Sequence, residues 1–460
     1  MNDIADLTAV ALARAIRERR VSPVEAAQAA LDRISERAAL NAFITVTADQ
    51  ALAAARIAEA KAMAGEPLPP LHGVPFSVKD LTNTAGVRTT FGSAIFENNV
   101  PKEDAVAVAR AKAAGAILIG KTTTPEFGHK QSTDAPIFGR TLNPIDPNVT
   151  CGASSGGAAV AVAAGMGPLA LGTDGGGSIR IPAACCGIVG LKATLGAIPN
   201  LQPPDLFAAN SYVGPMARDV ADTALLFEAI AGPDGGDPYG QAAPAPQPAL
   251  DSLKGVSIAW LERCGNRLDA RVAAATEAAV QAMERLGAVV EPIAMDFVSL
   301  EPAFLVILES SVASRVKPHL ERFANRLDPH LIETVNKGLR HSAVDLQNAG
   351  AARTGAYRAV QRQFEQFDFI VSPVLSAPPL PIGPQLPDGP LIIDGEPAGT
   401  LRGGWYPYTF PLNLTGHPAI ALPCGATPEG LPIALQIAGP WHADRRLLAA
   451  AAIVEAALKR

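Results

Sequence analysis

Apolar stretches broken by capping residues and glycines divide this chain into a run of helices and strands. Ser22-Pro-Val-Glu25 pairs a capping serine with a glutamate three residues on and puts Pro at the first helical position. It predicts a helix to about Arg37. Residues 103–114 read as a helix closed by Gly115, and 116–119 as a buried strand. The longest apolar run, Ala158 to Gly172, is interrupted by glycines and Pro168. That pattern predicts a small-residue helix over 156–164 followed by a strand, rather than a membrane span. A helix over 219–231 ends at Gly232, and 234–250, rich in Gly, Pro and Ala, reads as a surface crossing. Strand 256–261, helix 269–286, Gly287 and strand 288–293 repeat the order. Strands over 369–372 and 433–437 follow. This alternation predicts an α/β fold, a mixed central sheet with helices on both faces. Residues 301–367 are helical but less patterned, so 295–367 is expected to be a subdomain or cover near the active site. Residues 373–390 are proline-rich and read as an irregular loop. No internal repeat is found.

Composition narrows the function classes. Hydrophobic residues make up 48% of the 460, enough for a large core. A net charge of −6, from 38 Lys and Arg against 44 Asp and Glu, is too weak and too mixed for a nucleic-acid or membrane-surface partner. The start, MNDIADLTAV, lacks the basic and apolar regions of a signal peptide. Cys151, Cys185, Cys186, Cys264 and Cys424 are odd in number and contain no Cys-x-x-Cys. Neither a disulfide framework nor a zinc site is expected, and a reducing, cytoplasmic setting fits. The histidines show no metal-ligand spacing. No metal, no cofactor, and a monomer or homodimer are the expectations.

The chemistry concentrates between Cys151 and Leu191. Ser154 lies in Gly-Ala-Ser-Ser-Gly-Gly, and Ser178 follows Thr173-Asp-Gly-Gly-Gly. No histidine occurs between His129 and His319, so these serines have no local imidazole. Lysine is then the base to look for. Lys79 stands among Val74, Pro75, Phe76, Val78 and Leu81. Lysine serves as a base only when neutral, and an apolar site favours that form. Gly175, Gly176 and Gly177 let backbone N–H groups approach a developing oxyanion.

Cys151 to Leu191 resembles the signature segment of the amidase signature family of serine hydrolases. Its members cleave C–N bonds with a Ser–cis-Ser–Lys triad. The likeness extends to Gly120-Lys-Thr-Thr-Thr-Pro-Glu-Phe-Gly128, Phe138 to Pro144, Gly214-Pro-Met-Ala-Arg218, Phe410 to Gly416 and Pro423-Cys-Gly425. It thins between about Asp234 and Val371. It implies one amidase domain over 1–460 with a signature core over 65–232. Ser178 takes the nucleophile's place, Ser154 the cis-serine's and Lys79 the base's. Gly175, Gly176 and Gly177 match the oxyanion loop; Thr173, Asp174 and Arg180 are supports. Phe127, Gly128, His129 and Gln131, on the loop after Glu126, and Cys151, beside the serine pair, are the substrate-binding candidates. The implied substrate is a small amide or aryl amide, with esters and carbamates (urethanes) sharing the same carbonyl chemistry.

The chain departs from the family pattern at Cys151-Gly-Ala153, where Pro-Gly-Gly is usual, at Thr123, and at Gly175, where a side chain is usual. Gly175 bears on substrate preference. Gly152-Ala-Ser-Ser-Gly156 also fits the elbow of α/β-hydrolase esterases, but Asn143 to Asn148 is turn chemistry where a lead-in strand is needed. The family's other branch is the amidotransferase chain that converts glutamyl-tRNA(Gln) together with partner chains. It carries a run like Met-Gly-Ser-Ser-Thr-Glu-Asn, where this chain has Gly128-His-Lys-Gln-Ser-Thr-Asp-Ala135.

Overall fold

Eleven strands form one mixed sheet among the residues that the computed structural model describes: 3–208, 210–242, 245, 248–383, 386 and 389–459. In chain order they are Phe43–Val46 (β1), Pro75–Lys79 (β2), Ile117–Thr122 (β3), Leu169–Asp174 (β4), Val189–Lys192 (β5), Tyr212–Ala217 (β6), Ser257–Trp260 (β7), Val289–Pro292 (β8), Phe369–Pro373 (β9), Ala419–Ala426 (β10) and Pro432–Ala438 (β11). Their spatial order is β1-β3-β2-β4-β6-β5-β10-β11-β9-β7-β8. β2 runs parallel to both β3 and β4. Every residue of β2 and β4 is buried, as expected of strands covered on both faces. Leu169 and Leu171 enter one hydrophobic cluster and Ala170 the other, so a core lies on each side. Helices Val220–Ile230 and Asp444–Leu458 cover the first face, and Gly156–Ala163 and Arg180–Cys186 the second.

Most predicted elements appear where their local signals put them. Ser22 and Glu25 close a reciprocal capping box on helix Pro23–Glu36. Asp219 and Asp269 cap helices Val220–Ile230 and Ala270–Arg285. Two boundaries are corrected. The helix expected over 103–114 begins only at Val106, because Asp104 is drawn off to the Ala85 N–H and Lys112. The strand expected to end at Ile119 runs on through Gly120 to Thr122, paired to β2 along its length.

Helix Glu301–Val316 packs against both Pro329–Gly338 and Ala343–Gln363. They meet the body at the loop after Glu126. The Asp328 N–H donates to Glu126 Oε2 at 2.6 Å, and Lys130 bridges Asp134 and Asp328. No described helix is long and apolar enough to cross a membrane.

Candidate active site

The carboxyl ends of the parallel strands β2 and β4 lie side by side, the usual place for a site in an open α/β sheet. Lys79 is the last residue of β2 and is fully buried. Its Nζ lies 2.7 Å from Ser154 Oγ, 2.9 Å from Ser155 Oγ and 2.9 Å from Thr173 Oγ1. Desolvation drives its pKa well below the ordinary lysine value, and the charge of Asp174 opposes the shift only in part.

The partners also fix which way the protons run. Ser155 donates its hydroxyl proton to the Thr173 carbonyl at 3.0 Å, so toward Lys79 it is an acceptor. The Thr173 carbonyl, 3.3 Å away, accepts the second amine proton. A neutral amine has two N–H groups and one lone pair. Ser155 Oγ and the Thr173 carbonyl occupy the donors, and the lone pair is left to the hydroxyls of Ser154 at 2.7 Å and Thr173 at 2.9 Å.

Ser154 follows a cis Ala153–Ser154 peptide, opens onto helix Gly156–Ala163, and is 2% exposed. Gly128 backs it. At φ +71° a Cβ there would stand 2.9 Å from Ser154 Oγ.

Ser178 sits between strand end Asp174 and helix start Arg180. It is half-buried where Ser154 and Lys79 are buried. The Ser155 N–H donates to the Ser178 carbonyl at 3.1 Å, joining the two serine segments. The Ser178 hydroxyl has no hydrogen bond among the described residues. Asp174 and Arg180 form a fully buried pair, with Nε 3.0 Å from Oδ2 and Nη2 3.1 Å from Oδ1. Burial alone would raise the Asp174 pKa. The charge and hydrogen bonds of Arg180, with those of Asn413 and Gly177, outweigh it and hold the carboxyl well below its usual range.

One oxyanion candidate differs from its expected role. The Gly177 N–H is taken by Asp174 Oδ1 at 2.5 Å. The N–H groups of Gly175, Gly176 and Ser178 make no hydrogen bond among the described residues and remain free to donate. Gly177 is required for another reason: at φ +121° a Cβ would lie 2.4 Å from Thr409 Oγ1, the group that donates to the Gly176 carbonyl. Gly175 has room for a side chain, since a Cβ there would meet only the Asn210 carbonyl at 3.6 Å.

The substrate-binding candidates divide. Phe127 is half-buried and stacks on Phe91, with Phe96 edge-on. Gln131 is half-buried. His129 is buried and turned to its own loop, its Nδ1 2.8 Å from the Glu126 carbonyl. Burial pushes its pKa down to about 4, so the ring is neutral and donates through Nδ1. Cys151 is 1% exposed and borders a cleft of about 530 Å³ with Lys130, Thr133 and Asp328. Burial pushes its thiol up to about 12, an unreactive state. All five cysteines are free.

Thr409 and Asn413 have no local sequence pattern that singles them out, and Ser155 stands out as a supporting hydroxyl only as the neighbour of Ser154. Ser155 orients Lys79; Thr409 and Asn413 hold the Ser178 loop from more than 230 residues away. Their only trace is their position in or beside motifs, next to Ser154 and around Phe410 to Gly416.

A family model described as Amidase matches residues 25–448. An acylamidase of Rhodococcus erythropolis is 35% identical over 457 residues, covering 98% of this chain and 95% of that protein. The A chain of a glutamyl-tRNA(Gln) amidotransferase from Symbiobacterium thermophilum is 36% identical over 473 residues, covering 96% of this chain and 95% of that protein. The solved structure of a bacterial aryl acylamidase of the amidase signature enzymes superposes with a TM-score of 0.90 at 26% identity, covering 98% of this chain and 96% of that one.

Proposed function

The chain belongs to the amidase signature family, and on that premise we propose that Ser178 is the nucleophile of a free-standing acyl amidase, with Ser154 and Lys79 as its proton relay. The enzyme is a hydrolase of C–N amide bonds. The observation that carries the assignment of roles is the 2.7 Å contact between Lys79 and Ser154, with both amine N–H groups already engaged.

In the forward step Ser178 Oγ bonds to the substrate carbonyl carbon. Its proton passes to Ser154 Oγ as Ser154 hands its own to Lys79 Nζ. The oxyanion is received by the N–H groups of Gly175, Gly176 and Ser178. Collapse breaks the C–N bond, and the relay runs backwards to protonate the leaving nitrogen. Water then adds to the Ser178 ester and gives a proton to the same relay; the C–Oγ bond breaks as the relay returns that proton to Ser178 Oγ, and the acid leaves. Lys79 needs no rearrangement, because its contact with Ser154 serves in either direction.

Small acyl amides, anilides included, are the proposed substrates. Carbamates and activated esters offer the same carbonyl. The likeness to the acylamidases supports this reading, as does the run from Gly128 to Ala135. A second reading, the glutamyl-tRNA(Gln) amidotransferase chain, is favoured by the relative from Symbiobacterium thermophilum. Hydrolysis of an anilide, an aliphatic amide, a carbamate and a p-nitrophenyl ester by the isolated chain tests the first. Turnover that appears only with copurified partner chains and glutamine would establish the second instead.

A further inference from the structure

Asn413 lies on the buried helix Phe410–Thr415 and grips both ends of the Ser178 loop. Its Nδ2 donates to the Asp174 carbonyl and to Asp174 Oδ1, each at 2.9 Å. Its Oδ1 accepts from Arg180 Nη2 at 2.6 Å. Its backbone carbonyl accepts from the Tyr212 hydroxyl at 2.7 Å. The amide cannot be turned round: a carbonyl only accepts and a guanidinium only donates. No other side chain of this size meets both demands without adding a charge.

The oxygen that Asn413 holds is the one that binds the Gly177 N–H. Asp174 Oδ2 holds the Ile179 N–H at 3.2 Å. The carboxylate therefore sets the backbone on both sides of Ser178, and the N–H groups of Gly175, Gly176 and Ser178 stay free because those of Gly177 and Ile179 are drawn inward. We infer that Asn413 is a positioning residue for the nucleophile and oxyanion loop, acting through Asp174 and Arg180. The inference rests on Ser178 being the nucleophile.

The test measures kcat per fluorophosphonate-labelled Ser178 in Asn413→Ala and Asn413→Asp, with the labelled peptide identified by mass spectrometry. Counting only labelled sites removes any loss of folded protein. Asn413→Ala is expected to lose about 10²-fold in kcat, the scale of one misplaced oxyanion donor, with KM within about threefold. Asn413→Asp keeps an acceptor toward Arg180 but, ionised beside it, offers Asp174 a second negative charge in place of a donor; it is expected to lose at least as much kcat as Asn413→Ala. A role in folding alone predicts an unchanged kcat per labelled site in both variants, with the loss confined to the number of labelled sites. An Asn413→Ala kcat within threefold of the parent overturns the inference. If Asn413→Ala does not fold, Tyr212→Phe is read the same way: a loss of about threefold or more is expected, and an unchanged kcat overturns it. Failure to label Ser178 in the unmodified enzyme would instead sink the reading of the nucleophile.

Discussion

Lys79 and Lys121 occupy neighbouring positions in the sheet and have opposite hydrogen-bonding demands. Both are fully buried near the carboxyl ends of adjacent parallel strands, with Lys121 opposite Val78 and Thr122 opposite Lys79. Burial lowers both pKa values, Lys121 to about 7. Lys121 Nζ contacts the Thr82 carbonyl at 2.5 Å and the hydroxyls of Thr84 and Thr89 at 2.9 Å each. Both hydroxyls spend their own protons on carbonyls, Thr84 on Thr82 and Thr89 on Val87. All three partners therefore ask Lys121 for a proton, which suits an ammonium that ties the 82–89 turn together. Lys79 faces two acceptors, Ser155 Oγ and the Thr173 carbonyl, and two hydroxyls free to donate, those of Ser154 and Thr173. Desolvation eases proton loss from both lysines; the partners separate the base proposed at Lys79 from the strut at Lys121.

The largest expected effect falls on the nucleophile. Ser178→Ala should lose about 10⁴-fold or more in turnover and all fluorophosphonate labelling. Labelling that persists there but disappears in Ser154→Ala would reverse the two serines.

Substituting each lysine in turn sharpens the comparison. Lys79→Met should cost about 10³-fold on an anilide and about tenfold less on a p-nitrophenyl ester, whose leaving group needs no proton. Equal losses on both would remove Lys79 as the acid for the leaving nitrogen. Lys121→Met should keep kcat per labelled site within about tenfold of the parent while lowering stability by about 2–4 kcal/mol, since three buried acceptors lose their donor. Its titration gives a second readout. The folded pKa lies below the unfolded one, so between about pH 7 and pH 10 the unfolded chain binds more protons and Lys121 makes stability rise with pH. Below that window its contribution is flat. Denaturant titration of Lys121→Met should show a slope shallower by up to about 1.4 kcal/mol per pH unit. An unchanged slope would mean that Lys121 keeps its proton throughout.

A smaller effect is expected at Gly128→Ala. The added Cβ meets Ser154 Oγ at 2.9 Å in a left-handed backbone conformation. Loss of about tenfold in kcat/KM with an unchanged labelling site is the expected outcome. Full activity would show that the loop after Glu126 yields freely.

The proposed triad can be picked out in the sequence because its members sit in separate local motifs, and the missing imidazole between His129 and His319 points to lysine. Helix ends are legible for the same reason: a capping box at Ser22, caps at Asp219 and Asp269, and glycines just past the last turns are short-range chemistry. The strand that ends in Lys79 is not legible, because five buried residues in a row leave no alternation to count. Helix Arg180–Cys186 hides Pro182 in its first turn, where proline is tolerated. Gly177 groups with the oxyanion donors because three glycines look alike in sequence; only Asp174 Oδ1 separates it. Asn413 and Thr409 act across the sheet, and no spacing along the chain announces that.

The proposed chemistry depends on Lys79 accepting a proton through Ser154. The rate of Ser178 modification by a fluorophosphonate isolates that step, since fluoride leaves without an acid. Measured from pH 5 to pH 10 in the parent and in Lys79→Met, the parent rate should rise with pH through an apparent pKa well below that of an ordinary lysine, and the variant should be slow and flat. A parent rate independent of pH, or the same rise in Lys79→Met, would contradict it.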